Sequence, residues 1–233
     1  MKLLFRLLII LIVSTLNREI VSAQHSNSFA GIRFGYALPL GQFASHDFDT
    51  QSGGGYALLG KSFGAEAAWF ISPKLGFGFD ISTNSFGFAS GYYADDFIKN
   101  IPIYTSLDLL SGPYKLTTYM AGVYYKFSLT KKFSSTVKVM GGMLRARTPD
   151  QFFGGIEDGV RVTFWKTGST NSQPSCLAGV SLEYRLYQQV SLLMQADLAY
   201  ARMAFPFINA GERYNRVMQI PVFRLQPGIN VHF

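Results

Sequence analysis

Apolar and polar residues alternate with a period of two through eight separate stretches of the chain, and the cleanest stretch covers residues 75–84. There Leu75, Phe77, Phe79 and Ile81 stand against Gly76, Gly78, Asp80, Ser82 and Asn84. Successive side chains of a strand point to opposite faces, so this pattern predicts a strand with one apolar and one small, polar face. The same alternation recurs over residues 29–38, 61–71, 118–129, 136–143, 178–186, 190–200 and 223–233. In the last of these, Phe223, Leu225, Ile229, Val231 and Phe233 share one phase, and Arg224, Gln226, Gly228, Asn230 and His232 share the other.

The connections carry independent information. Short turns at residues 72–74, 130–132 and 188–189 alternate with long connections at 41–60, 85–113, 148–175 and 204–217. With an even number of strands, all the long connections then fall at one end of the sheet and both chain ends at the other. Segments of about ten alternating residues match tilted strands that cross a bilayer, with short turns on one side and longer loops outside. The expected fold is all-β, an eight-stranded antiparallel up-and-down transmembrane barrel with its polar face inward. Residues 160–165, VRVTFW, read as a strand extension above the membrane.

The first 23 residues have a different character. Lys2 and Arg6 precede an apolar core at residues 7–13, and Val21, Ser22 and Ala23 form a small-residue cleavage site. This predicts a signal peptide at residues 1–23 and a barrel domain at residues 24–233. No later apolar run reaches the roughly 20 residues that a membrane helix requires.

Composition sharpens the picture. Charged residues make up 15% of the chain, against about 25% in a typical soluble domain. The formal net charge of +7 points, for an exported protein, to anionic lipid headgroups rather than nucleic acid. A lone Cys176 excludes an internal disulfide. Trp69, Phe127, Phe133, Tyr184 and Phe233 are expected near the inner rim, and Tyr36, Phe63, Tyr119, Tyr200 and Phe223 near the outer rim, as interfacial girdles. Arg145, Arg147, Arg202 and Arg213 fall just beyond outer strand ends, as solvated loop-base charges or as partners of glycolipid phosphates.

The inward phase holds Arg33, Glu66, Asp80, Lys126, Lys138, Glu183, Arg185, Asp197 and Arg224. Each unpaired buried ion costs several kcal/mol, so these side chains must largely neutralise one another. The interior of an eight-stranded barrel is just wide enough for side chains to fill, which predicts a polar plug, with a narrow solute path as the alternative. Residues 55–62, GYALLGKS, match the P-loop pattern formally. Period-two alternation follows them where the phosphate-binding chemistry needs a helix, so the match is one of spelling alone.

Catalysis would need a base, and His25, His46 and His232 are the histidines available. Only His46, near Ser45, Asp47 and Asp49 in the first long connection, could serve an outward-facing lipid-modifying enzyme; the chain is read as non-enzymatic. No cofactor or metal is expected, and Asp95-Asp96 lacks the ligand spacing of a calcium loop. The long connections concentrate aromatics among carboxylates: Phe86, Phe88, Tyr92, Tyr93, Phe97 and Tyr104 with Asp95, Asp96 and Asp108, then Phe152, Phe153, Phe164 and Trp165 with Asp150, Glu157 and Asp158. Such loops either bind a surface ligand or protein, or pack together to close the barrel top.

Alternating strands, one-sided long loops and a final Phe233 together resemble small bacterial outer-membrane β-barrel proteins, in the broad sense of OmpA/OmpX-like barrels and the Bacteroidetes-type outer-membrane barrel domain. The resemblance implies that the closing strand, through Phe223, Leu225, Ile229, Val231 and Phe233, is read by the outer-membrane assembly machinery and pairs with the first strand. It further implies a monomer integral to the outer membrane, among lipids and lipopolysaccharide, with periplasmic termini. Transport, or a place in a secretion apparatus, stays open beside a structural or surface-binding role.

Overall fold

The computed structural model describes residues 27–48, 53–157, 159–209 and 212–233. The expected signal peptide at residues 1–23, with His25, Asp49 and Asp158, lies outside the described residues, as does the side chain of Arg213.

Eight strands close into one antiparallel barrel. They are β1 (Phe29–Pro39), β2 (Ala57–Phe70), β3 (Leu75–Phe88), β5 (Tyr114–Ser128), β6 (Phe133–Arg147), β9 (Thr170–Arg185), β10 (Val190–Asn209) and β11 (Glu212–His232). Neighbours in the chain are neighbours in the wall, and β1 closes on β11 from Phe29 opposite His232 to Pro39 opposite Val222. The remaining elements lie at the end of the long connections: α1 (Gly41–Ala44), α2 (Ser90–Asn100), and a separate sheet of β4 (Tyr104–Ser111), β7 (Gln151–Glu157) and β8 (Val160–Lys166), in the order β4-β7-β8.

The wall is inside out relative to a soluble protein. On β3, Phe77, Phe79 and Ile81 are 48%, 55% and 51% exposed, while Asp80 between them is fully buried. On β11, Phe223, Leu225, Ile229, Val231 and Phe233 face outward, and Arg224, Gln226, Asn230 and His232 are buried in the lumen. Closure leaves no strand edge with unsatisfied amides in hydrocarbon, and an outward apolar band matches the lipid tails. Such a surface makes the fold a transmembrane β-barrel of the outer-membrane type. Outward aromatics mark both rims: Trp69 contacts Phe77 and Phe233 at one end, where Phe133 also meets Tyr184, and Tyr36, Phe63, Tyr119 and Tyr200 lie exposed toward the other.

Two of the short turns use one device. Ser72 Oγ accepts the amides of Lys74 and Leu75, and Thr130 Oγ1 accepts those of Lys132 and Phe133. A hydroxyl that bonds its own backbone two and three residues on makes a tight reversal without glycine.

Three long connections are more ordered than the alternation predicts, and the fourth is not a loop. Residues 204–217 belong mostly to β10 and β11, which stay paired to Asn209 opposite Glu212. β2 begins at Ala57 and β9 at Thr170, both earlier than expected. The VRVTFW stretch is a strand, as expected, but it lies in the separate sheet as β8 and not in the barrel wall.

Candidate functional site: the filled lumen and the external cap

Ionic, polar and apolar groups fill the barrel, including an apolar cluster of Phe29, Met120, Tyr124, Met140 and Leu177 at the level of the alternating strands. In the middle, Arg33, Lys138 and Arg224 interleave with Glu66, Asp80 and Asp197. Arg33 bridges Glu66 and Asp80, reaching Asp80 Oδ2 at 2.5 Å. Lys138 Nζ contacts Glu66 and lies 3.0 Å from Asp80 Oδ2 and 3.7 Å from Asp197 Oδ1. Arg224 donates to Asp197 Oδ2 at 3.0 Å and to the Ser82 hydroxyl. Neutral groups extend the network, with Ser82 bonded to Thr118 at 2.7 Å and Gln226 donating to Ser62 at 2.9 Å. Each cation thus has a carboxylate, and each carboxylate a cation, which is the condition under which buried charge is tolerated.

Glycines make room for this stratum. A Cβ on Gly228 would stand 2.7 Å from Arg33 Cγ, and one on Gly179 would collide with the Asp197 carboxylate. The wall is notched where the longest lumen side chains lie against it. The sequence contains these glycines in the inward phase, but only strand register reveals which charge each one faces.

Toward the short turns lies a second polar group. Glu183 accepts from Lys126 Nζ at 3.0 Å and from Ser134 at 3.3 Å, and meets His232 Nε2 at 2.5 Å. Ser191 Oγ sits 2.9 Å from that same nitrogen. A hydrolytic triad needs hydroxyl and carboxylate on opposite ring nitrogens, so this Ser, His and Glu form a packing cluster. Arg185, expected in the lumen network, stands apart: it is half-buried at the end of β9, and among the described residues it forms no ion pair.

Above the middle stratum the lumen turns apolar, which the expectation of a polar interior throughout did not foresee. Leu116, Leu144, Met203, Phe205, Met218 and Ile220 line it. α1 drops Phe43 into its mouth, edge-on to Phe86 and Tyr114 at ring separations of 5.2 and 5.1 Å. Tyr114 donates to the Gly55 carbonyl at 2.7 Å and so ties the following loop down. Tyr56 takes a left-handed conformation, φ 53°, that places its hydroxyl 2.8 Å from both the His46 carbonyl and Asp96 Oδ2. Beneath this lid a cavity of about 20 Å³, bordered by Tyr56, Tyr114, Lys166 and Arg216, has room for roughly one water molecule.

The lid continues into the external sheet. Leu107, Leu109 and Phe153 on one face of β4 and β7 pack against Ala94, Tyr93 and Phe97 of α2. Tyr93 meets Tyr56 and Phe88, and so joins this small core to the barrel mouth. Lys166, at the end of β8, is half-buried, and desolvation with Arg216 nearby depresses its ammonium to about 8. On the opposite face Leu110, Phe152 and Trp165 form one cross-strand row, with Leu110 and Trp165 exposed.

The remaining candidates resolve simply. His46 is exposed and stacks on Tyr56 and Tyr92, at ring separations of 5.2 and 4.6 Å. The Ser45 hydroxyl accepts the Asp47 amide and does not bond the imidazole. The P-loop spelling runs into β2, where Lys61 points outward from a strand. Among the described residues no cluster of His, Cys, Asp and Glu could hold a metal.

No protein-family model matches the chain, and no curated protein matches it. Solved structures do. Neisserial surface protein A superposes with a TM-score of 0.49 at 13% identity, over 89% of this chain and 98% of that one. A major outer membrane protein from Thermus thermophilus gives 0.47 at 14% over 88% and 99%, and the outer membrane protein AlkL gives 0.47 at 14% over 93% and 95%.

Proposed function

We propose that the chain is an integral outer-membrane barrel, inserted after loss of residues 1–23, with both termini in the periplasm and a lumen closed to solutes. Its role is structural or surface-binding through the external cap, without a catalytic centre or cofactor, and as a monomer. The observation that carries this reading is the double closure of the lumen. Salt bridges centred on Asp80 fill the middle, and Phe43 seals an apolar vestibule above them. An eight-stranded wall leaves no free bore once such side chains occupy it. The cap favours binding because it builds a core of its own and still leaves Leu110 and Trp165 exposed on either side of half-buried Phe152. In this reading Phe223, Leu225, Ile229, Val231 and Phe233 form the assembly signal, and their outward exposure leaves them available to the insertion machinery.

Planar-bilayer recording tests the closure: the purified protein should give no stable unitary conductance, and steady openings of porin size would end the plugged-barrel reading. Trimming residues 90–111 and 150–168 to short turns tests the cap. Heat-modifiable barrel folding should survive while capture of surface partners is lost, and unchanged capture would reduce the cap to a lid.

A further inference from the structure

The barrel wall is charged asymmetrically. Every acid of the barrel strands whose side chain is described, namely Glu66, Asp80, Glu183 and Asp197, is buried in the lumen. The outward face toward the cap end instead carries Lys61, Lys115, Arg145, Arg147 and Arg202, all exposed. These cations lie above the aromatic rim: Arg202 follows outward Tyr200 by one strand repeat, and Lys61 precedes outward Phe63 by one. They are densest on β5 and β6, where Lys115 pairs with Arg147 and Arg145 lies one repeat below Arg147.

Directly above this cluster an open groove is lined by Leu110, Ser111, Gly112, Asp150, Phe152 and Trp165. Its orientation follows from two contacts. Asp150 accepts from the Gly168 amide at 2.8 Å, which with Arg147 holds the carboxyl below its usual range, and its bond from outward-facing Arg147 at 2.9 Å joins the groove to the outer wall. The other face of the same sheet is buried against α2, over the lumen. The exposed row therefore continues the lipid-facing side of the barrel beyond the rim.

We propose that this surface seats a phosphorylated glycolipid of the outer leaflet, with a sugar phosphate on Lys115, Arg145 and Arg147 and the sugar ring against Phe152 and Trp165. Cations alone would suit any anionic headgroup. The aromatic row lies higher, where a small headgroup ends and a saccharide continues, and aromatic faces suit the apolar faces of sugar rings. Arg147 is already oriented by Asp150, and Lys115 and Arg145 supply the excess positive charge that a phosphate needs.

This inference rests on the membrane-integral reading and deepens it. Full-length protein is reconstituted into phosphatidylcholine vesicles carrying bis-phosphorylated lipid A, dephosphorylated lipid A or phosphatidylglycerol, and the lipid retained after extraction is counted by native mass spectrometry. Retention of the phosphorylated lipid A should exceed that of either other lipid by about tenfold. Lys115→Gln with Arg145→Gln should abolish that preference, whereas Lys131→Gln with Lys132→Gln, on a short turn, should not. Trp165→Ala should lower lipid A retention and leave phosphatidylglycerol unchanged. Equal retention of the three lipids, or an undiminished preference in the Lys115 and Arg145 variant, would overturn the site while the protein remains inserted. Failure to insert into vesicles would instead overturn the membrane reading itself.

Discussion

One strand, β10, shows two regimes. Below the rim Leu192, Met194, Leu198 and Tyr200 face out, and Ser191, Gln195 and Asp197 face in with Leu193 between them. Above the rim Met203 and Phe205 face in, and Arg202 faces out. The backbone alternation never changes, and only the medium outside the wall does. Hydrocarbon accepts apolar side chains and frees the lumen for charges, which share it with an apolar cluster of Phe29, Met120, Tyr124, Met140 and Leu177; water reverses the assignment and turns the upper lumen into an ordinary core. The external sheet completes the reversal, since β4 and β7 bury Leu107, Leu109 and Phe153 as a soluble protein would.

The contrast is broken most severely from within. Asp80→Ala strips Arg33 and Lys138 of a shared carboxylate in a fully buried site, and removing one partner of a buried pair costs about 3–5 kcal/mol. Urea unfolding in detergent micelles, followed by the heat-modifiable gel shift, should report a loss of that size. A loss below about 1 kcal/mol would mean that the middle stratum is hydrated and open.

The two media can be separated with one residue type. Ile81→Arg places a charge in the apolar band and should cost about 2–4 kcal/mol in lipid vesicles. Thr163→Arg, on the exposed face of β8, should stay within about 0.5 kcal/mol. Equal effects at both positions would mean that the band does not meet hydrocarbon.

A smaller effect sharpens the cap's status as a water-bounded core. Lys166 titrates near 8 instead of its ordinary 10.5, so between those values the unfolded cap binds more protons than the folded one. Cap stability should therefore rise as pH goes from about 8 toward 10.5, with the full penalty present below 8. Proteolytic nicking within β8 should slow over that interval relative to a pH-matched unfolded substrate, and a flat ratio would mean that Lys166 is solvated.

The reversal also explains what was legible beforehand. Eight strands, their order and the inward charges follow from a period-two pattern with a fixed apolar phase, as in Leu75 to Ile81 opposite Asp80. Residues 204–217 read as a loop because the phase flips after Tyr200 and Pro206 interrupts the run, although the strands continue to Asn209 and Glu212. The apolar vestibule was not legible because Leu116, Leu144 and Ile220 lie just beyond the alternating stretches 118–129, 136–143 and 223–233. Of the inward charges, Arg185 failed to join because it stands at the strand end beside the turn, where water competes with any carboxylate. β4 and β7 are short, and Gly112-Pro113 and Pro149 part them from the strands they extend.

Surface proteolysis of intact cells tests the two-media account most directly. Protease added outside should cut within the cap, around Val160–Lys166, and leave the barrel fragments associated in the outer-membrane fraction, with the turn at residues 72–74 untouched until the membrane is breached. Recovery of intact protein in the soluble periplasm, or cleavage at residues 72–74 in unbroken cells, would contradict it.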